Sequence, residues 1–164
     1  MASIRDLNLT FGPIPPRIDH VHATVTGFID FTEAEIADEQ WFRLSVELRA
    51  SDAEEGGWDF PLGPLHTFVW GPWAPFLVPY SIVKAQPGGR SFEVDDDISL
   101  EALDEDPGTE RGTIERRIGG QTYRLPATFR LQDEVYAFAL ITGLPGSTAQ
   151  SEVVAVPWSD RRIP

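Results

Sequence analysis

The chain has 164 residues, with 26 Asp and Glu against 13 Lys and Arg, so its formal net charge is −13. Ten Phe, five Trp and three Tyr in a chain that is 41% hydrophobic exclude a disordered acidic protein and predict one globular domain over residues 1–164. The absence of cysteine excludes disulfide frameworks, thiolate metal sites and cysteine nucleophiles.

The composition also bears on location and partners. No apolar stretch has the length of a secretory signal core or a membrane span, which predicts a cytoplasmic protein that does not associate with membranes. A sequence pI near 4.5 argues against nucleic acid as a partner, because neutralising phosphates requires clustered Lys and Arg. We therefore expect a protein, carbohydrate or other small-molecule partner, with a homo-oligomer as a further option and no cofactor.

Alternating hydrophobicity predicts two strands in the first third of the chain. From Asp19, residues Val21 and Val25 fall on one side, and His20 and His22 fall on the other. The stretch 42–50 alternates in the same way. Between these strands, residues 32–35 read Thr-Glu-Ala-Glu, the spacing of a capping box, which predicts one or two helical turns over 33–39.

Shorter strands and turns are predicted in the middle of the chain. Residues 65–70 and 81–85 are expected to be strands, separated by a proline-broken loop over 71–80. Pro87-Gly88 predicts a type II turn that returns the chain as a strand over 91–94. Gly119-Gly120 predicts a tight hairpin between strands 114–118 and 121–125, with Pro126 ending the pairing or lying at an edge.

The last third resembles a known class of β-sandwich. Residues 129–131 read Phe-Arg-Leu, Tyr136 enters the apolar strand 135–141, and Ser151 to Val156 is expected to form another strand. Over residues 121–157 this arrangement is similar to the closing strands of fibronectin type III and immunoglobulin-like domains. The resemblance implies a sandwich in which Tyr136 bonds back to the upstream backbone.

These elements predict an all-β fold, an antiparallel β-sandwich of immunoglobulin-like type. The alternative is a closed antiparallel β-barrel, cupin-like or calycin-like. Residues 61–66, Pro-Leu-Gly-Pro-Leu-His, are similar to the second cupin motif, although Gly27 and Trp70 replace two of that family's ligands. Eight residues are predicted to form part of the core: Val21, Val25, Leu44, Val46, Leu48, Ala137, Ala139 and Val154.

The first functional hypothesis is a non-catalytic binding or assembly module. Trp58, Trp70, Trp73 and Tyr80 are interleaved with prolines, and large flat side chains on a stiff backbone suit contact with a protein or a carbohydrate. Packing of the same rings against the core is the competing interpretation. No catalytic residue is assigned, because no nucleophile elbow, phosphate loop or zinc-protease motif occurs.

The second hypothesis is a small β-barrel enzyme. His20, His22 and His66 supply three imidazoles that in principle converge on zinc or iron. A metal-free cyclase or isomerase with an aromatic pocket is a third option. The acidic stretch 93–110 fails as an EF-hand, because Leu100 stands where that motif needs Gly, but it leaves a calcium site built from loop carboxylates open.

Overall fold

Antiparallel strands dominate the structure, a computed structural model that describes residues 1–51, 63–71, 77–104, 108–130, 133–143, 147–157 and 162–163. The first six strands are β1 (Ser3–Ile14), β2 (Arg17–Asp30), β3 (Trp41–Ala50), β4 (His66–Thr67), β5 (Ser81–Lys84) and β6 (Arg90–Ser99). The other six are β7 (Thr109–Ile118), β8 (Gln121–Arg130), β9 (Glu134–Thr142), β10 (Ser147–Gln150), β11 (Val154–Ala155) and β12 (Arg162–Ile163).

The strands form three sheets. The first has the order β1-β2-β6, and the second has the order β10-β9-β3-β4, with β11 also paired to β9 and β5 to β3. The third is β12-β8-β7. None of these sheets closes into a barrel in the part of the chain that the structure describes. The fold is therefore an all-β antiparallel sandwich, as predicted, and the barrel alternative is wrong for these residues.

The core lies between the first two sheets and follows from the period of two in their strands. Every second residue is buried from Val21 to Ile29 in β2, from Phe42 to Leu48 in β3 and from Val135 to Ile141 in β9, and the intervening residues are wholly or partly exposed. Seven of the eight predicted core residues are among the buried hydrophobic ones, and Val154 is half-buried against them. Each sheet therefore presents one apolar face to the other.

The register between β2 and β6 positions the polar residues described below. Ten consecutive pairs run from His20 opposite Ser99 to Ile29 opposite Arg90. The acidic residues Asp95, Asp96 and Asp97, assigned to a loop in the sequence analysis, are thus part of a strand. The prediction was wrong because their charge hid a strand whose inner face holds Val94 and Ile98.

Two other sequence predictions need correction. The strand predicted over 65–70 shrinks to β4, His66–Thr67. The strand predicted over 151–156 shrinks to β11, Val154–Ala155, and the structure adds β10 just before it, with the buried Ser151 between the two. There the Ser151 hydroxyl accepts a hydrogen bond from the Ala137 N–H at 2.7 Å, in place of a backbone carbonyl. The side chain thus interrupts the regular ladder along β9.

Both glycine turns agree with the sequence prediction. At Pro87-Gly88, Gly88 has φ 80°, and the Gly89 N–H donates to the Gln86 carbonyl at 3.3 Å, as a type II turn requires. At the tip of the β7–β8 hairpin, Gly119 and Gly120 have φ 59° and 84°. Pro126 does not end that hairpin. Pro126 belongs to β8 and pairs with Thr113 of β7. In the described residues no strand pairs with the other side of Pro126, so it lies at an edge.

In the described residues, helical structure is confined to short pieces. Helix α1 (Glu33–Ala37) begins with the predicted capping box, in which Thr32 and Glu35 satisfy each other's backbone N–H groups. Glu35 is buried, and its second carboxylate oxygen accepts the Ala2 N–H at 2.7 Å, which joins α1 to the segment before β1. A single 3-10 turn covers Leu100–Leu103. Among the described helices, none combines the length and the hydrophobicity that crossing a bilayer demands.

The sandwich predicts a strong effect of a charge in its centre. Val46 is fully buried in β3, opposite Ala139. Val46→Asp would bury a carboxylate without a partner, at a cost of several kcal/mol against a total stability of about 5–15 kcal/mol. We expect the variant to be insoluble or unfolded by circular dichroism. Trp41→Asp places the same charge at an exposed position of β3 and should fold. A Val46→Asp protein with an unchanged melting temperature would contradict the register.

Candidate functional site

The structure describes half of the predicted aromatic contact segment. Trp58 and Trp73 lie outside the described residues. Trp70 is partly buried and packs against the core, and Tyr80 is half-buried, with the Arg43 guanidinium 5.1 Å from its ring centroid. Trp70 therefore has the core contacts of the competing interpretation. Its role in ligand binding, like that of the other three aromatics, stays a prediction.

The three histidines are separated by the first sheet rather than gathered around a metal. His20 and His22 lie on the outer face of β2, and His66 belongs to β4 in the second sheet. In the described stretches, no three His, Asp or Glu side chains lie together in a group able to hold a metal ion. The described geometry therefore does not support the His20, His22 and His66 metal centre. Each histidine instead contacts an aspartate.

His22 bridges two carboxylates on the neighbouring strand. Its Nδ1 forms a hydrogen bond of 2.7 Å with Oδ1 of Asp97, the residue directly opposite it, and its Nε2 lies 3.5 Å from Oδ2 of Asp95. The hydrogen bond with Asp97 raises the pKa of His22, and the charges of Asp95 and Asp97 act in the same direction against the opposing effect of burial. This cluster therefore favours the imidazolium form of His22.

His66 makes a different contact, one that joins the two sheets. Asp96 pairs with Ala23, so it occupies an inner-face position of β6 between Val94 and Ile98. Its Oδ2 lies 3.1 Å from Nε2 of His66, although the pair is not aligned as a hydrogen bond. Burial lowers the pKa of His66, and the Asp96 carboxylate opposes that effect only in part. The pKa of His22 is thus raised above its ordinary value, and the pKa of His66 is lowered below it.

The β7–β8 hairpin, residues 109–130 and called the arm below, is the least buried part of the sandwich. Most residues of its two ten-residue strands are exposed. Among the described residues, its contacts are mainly between its own strands, and β12 pairs with it at Thr128 and Phe129 near the base. At about 3.3 Å per residue the arm is roughly 33 Å long. The tight glycine turn therefore lies far from the base.

The arm is amphipathic. Residues paired across an antiparallel ladder share a face, so Ile114 with Leu125 and Arg116 with Tyr123 point to one side. That apolar face is half-buried near the base, where the Phe129 ring covers Gly112 so closely that a Cβ there would lie 2.7 Å from it. It is open towards the tip, where Ile118 is 57% exposed, Tyr123 45% and Leu125 37%.

The opposite face of the arm is basic. It holds Arg111, Arg117, Arg124 and Arg130, and with Arg116 the arm has five arginines against two glutamates. Arg124 pairs with Glu115 at 3.1 Å, and Arg130 with Asp104 at 3.0 Å. Within the described parts of the chain, Arg111, Arg116 and Arg117 have no ion-pair partner. The arm is thus a positive element of charge +3 on a chain of charge −13.

An apolar cleft of about 420 Å³ lies at the turn between β1 and β2. Its walls include Ile14, Ile18 and four prolines, and Leu100 of the 3-10 turn contributes from across the cleft. Ile18 is 74% exposed. The only polar side chains in the lining are Arg17 and His20. The volume falls in the range of ligand pockets, and the lining is suited to an apolar occupant.

The arm and the cleft were both missed as sites by sequence reasoning. Gly119-Gly120 identified the hairpin, and the excess of arginine was visible, but exposure of the apolar face depends on what packs against it. The cleft needs Leu100 and Pro157 beside the β1–β2 turn, two contributions that are distant in sequence. The prolines at positions 13, 15 and 16 were the available signal, because they stiffen that turn.

Comparison of the chain with protein-family models, with curated proteins and with solved structures found no match. The immunoglobulin-like resemblance of residues 121–157 therefore stays a prediction, and only the sandwich itself is established. Function has to be argued from the site geometry alone.

Histidine titration followed by NMR tests the two aspartate contacts. We expect His22 to titrate above about pH 6.5 and His66 below it. The stability from His22 is then fully present below about pH 6.5 and lost as the pH rises through its raised pKa. The His66 contribution is present above about pH 6.5 and lost as the pH falls through its lowered pKa.

Two amide variants are matched controls for that titration. Asp97→Asn should lower the pKa of His22 and leave that of His66 nearly unchanged, because it removes the hydrogen-bonded carboxylate. Asp96→Asn should lower the pKa of His66 further. Equal pKa values for His22 and His66 in the unmodified protein would contradict both assignments.

Trp70→Ala tests the core packing of the aromatic segment. Because Trp70 packs against the core, truncation should cost about 3 kcal/mol of unfolding free energy, measured by chemical denaturation. Trp41 is 61% exposed, so Trp41→Ala should cost less than about 1 kcal/mol. If both variants lost the same small amount of unfolding free energy, Trp70 would not be a core residue and would again be a candidate contact residue.

Proposed function

We propose that this chain is a non-catalytic binding or assembly module that contacts another polypeptide through the apolar face of the arm. The observation that carries the proposal is the open tip of an amphipathic ribbon, where Ile118, Tyr123 and Leu125 face solvent together. The aromatic segment of Trp58, Trp70, Trp73 and Tyr80 was the sequence-based choice for this role. The arm is favoured because its apolar side chains are exposed.

Energetics support a covered arm. A two-stranded hairpin is at best marginally stable in water and needs a third strand or a packed face. Here the two described residues of β12 add two pairs near the base. Burial of apolar surface stabilises by about 25 cal/mol per Å², so covering Ile118, Tyr123 and Leu125 would contribute several kcal/mol before ordering costs. A partner bound to this face would therefore also stabilise the hairpin conformation of the arm.

The chemistry of the arm favours a polypeptide over the other partner classes considered. Tyr and Arg are enriched in the energetically dominant parts of protein interfaces, and Tyr123 lies beside Arg116 on the apolar face. A flat ribbon offers no enclosed pocket for a carbohydrate or another small molecule. Nucleic acid and anionic membranes are disfavoured because the rest of the chain carries a charge of −16 once the +3 of the arm is set apart from the total of −13.

The enzyme alternatives receive no comparable support from the described residues. A metal centre needs its ligands within one coordination sphere, and His66 lies on the other side of the first sheet from His20 and His22. The cleft is apolar but has no carboxylate in its lining for acid–base work. The cytoplasmic location predicted from the sequence is kept as part of the proposal.

Site-specific photo-crosslinking tests the proposal. A benzophenone-bearing residue in place of Tyr123 keeps an aromatic ring at the proposed contact, and the same residue in place of Val153 is the control, because Val153 is exposed but lies off the arm. In cells of the source organism, we expect a discrete adduct with a polypeptide from position 123 and none from position 153. No adduct at 123, or the same adducts at both positions, would contradict a binding role for the arm.

A further inference from the structure

Two apolar surfaces of this chain are left uncovered, one convex and one concave. The convex surface is the arm tip with Ile118 and Tyr123, and the concave surface is the cleft at the β1–β2 turn. We propose that they bind each other between two copies of this chain, the arm tip of one copy entering the cleft of the other. This inference rests on the proposed function and names its partner.

The two surfaces match in apolar character. The cleft holds about 420 Å³ and is lined almost entirely by apolar side chains, including Ile14, Ile18 and Leu100. The arm tip narrows to the Gly119-Gly120 turn, which lacks side chains, and behind the turn Ile118 and Tyr123 share their face with Arg116 and Gln121. An apolar protrusion and an apolar pocket on the same molecule are the elements of a heterologous contact between copies.

The charges match as well. At the arm tip, Arg116 and Arg117 have no ion-pair partner in the described part of the chain. Next to the cleft, the Asp19 side chain is 73% exposed, and Glu101, which follows Leu100, is also exposed. Asp19 lies 4.0 Å from Arg17, the one cation in the described lining, and 3.0 Å from His20, so it offsets the repulsion of the arm by Arg17, and Glu101 remains to attract the arm. Opposite charges at the two surfaces orient the contact.

The positions of the arm tip and the cleft within one molecule also favour a second copy as the partner. The arm tip and the cleft of one molecule are both open, so the arm does not cover the cleft of its own copy. A ribbon of roughly 33 Å reaches well beyond its own base. Away from the arm, two copies repel each other, because each carries a large negative charge. The basic arm is the part that approaches a second copy without that repulsion.

A mixing experiment with two variants tests the inference. Tyr123→Ser with Ile118→Ser removes the apolar tip and keeps the cleft, and Ile18→Asp places a carboxylate in the cleft and keeps the arm. By sedimentation velocity, we expect the unmodified protein to self-associate and each variant alone to be monomeric, with affinity lowered about thirtyfold or more. Mixed in equal amounts, the two variants should form a dimer, because one intact arm meets one intact cleft.

Val153→Ser, an exposed apolar residue elsewhere, should leave self-association unchanged, and all variants should keep the melting temperature of the unmodified protein. A monomeric unmodified protein, or a mixture that stays monomeric, would overturn the inference. If the crosslink from position 123 joins a different polypeptide, the inference fails and the proposed function stands. If position 123 gives no adduct and the protein is monomeric, both fail.

Discussion

The pairing of β2 with β6 is the constraint on which most of this structure depends. Ten consecutive pairs hold the two strands in one register, and a shift of a single residue would exchange their buried and exposed faces. In that register Val21, Val25 and Val94 enter the core. The same register brings His22 to the two carboxylates of Asp95 and Asp97. Core packing and surface electrostatics are therefore consequences of one set of backbone hydrogen bonds.

Asp96 is the exception within that register, because it places a carboxylate between two buried residues of the inner face, Val94 and Ile98. Its side chain is 49% exposed, so water still reaches the carboxylate. His66, on the short strand β4, meets it there and joins the second sheet to the first. The opposite pKa shifts of His22 and His66 follow from this difference, since His22 lies on an outer face and His66 is largely buried.

The arm departs from the rule that governs the rest of the fold. Elsewhere an apolar face is covered by a facing sheet, but the apolar face of the arm is only half-covered at its base and open at its tip. Exposed apolar side chains gathered on one face indicate a contact surface rather than ordinary surface composition. The contact with another polypeptide that we propose for the arm would cover this open face.

The sequence by itself determined the fold class, most strands, both glycine turns and the capping box, because each depends on the period of two or on a few adjacent residues. It also indicated seven fully buried core residues, from Val21 to Ala139, by their alternation. It missed β1, whose pairing with β2 shifts register at two points and interrupts the alternation. It ended β6 too early, because three consecutive aspartates hid the alternation there. Only the tertiary structure decided that His22 faces Asp97, that His66 meets Asp96, and that the apolar face of the arm stays open. Each of these three features depends on which distant segment of the chain lies alongside, and the local sequence pattern contains no information about that.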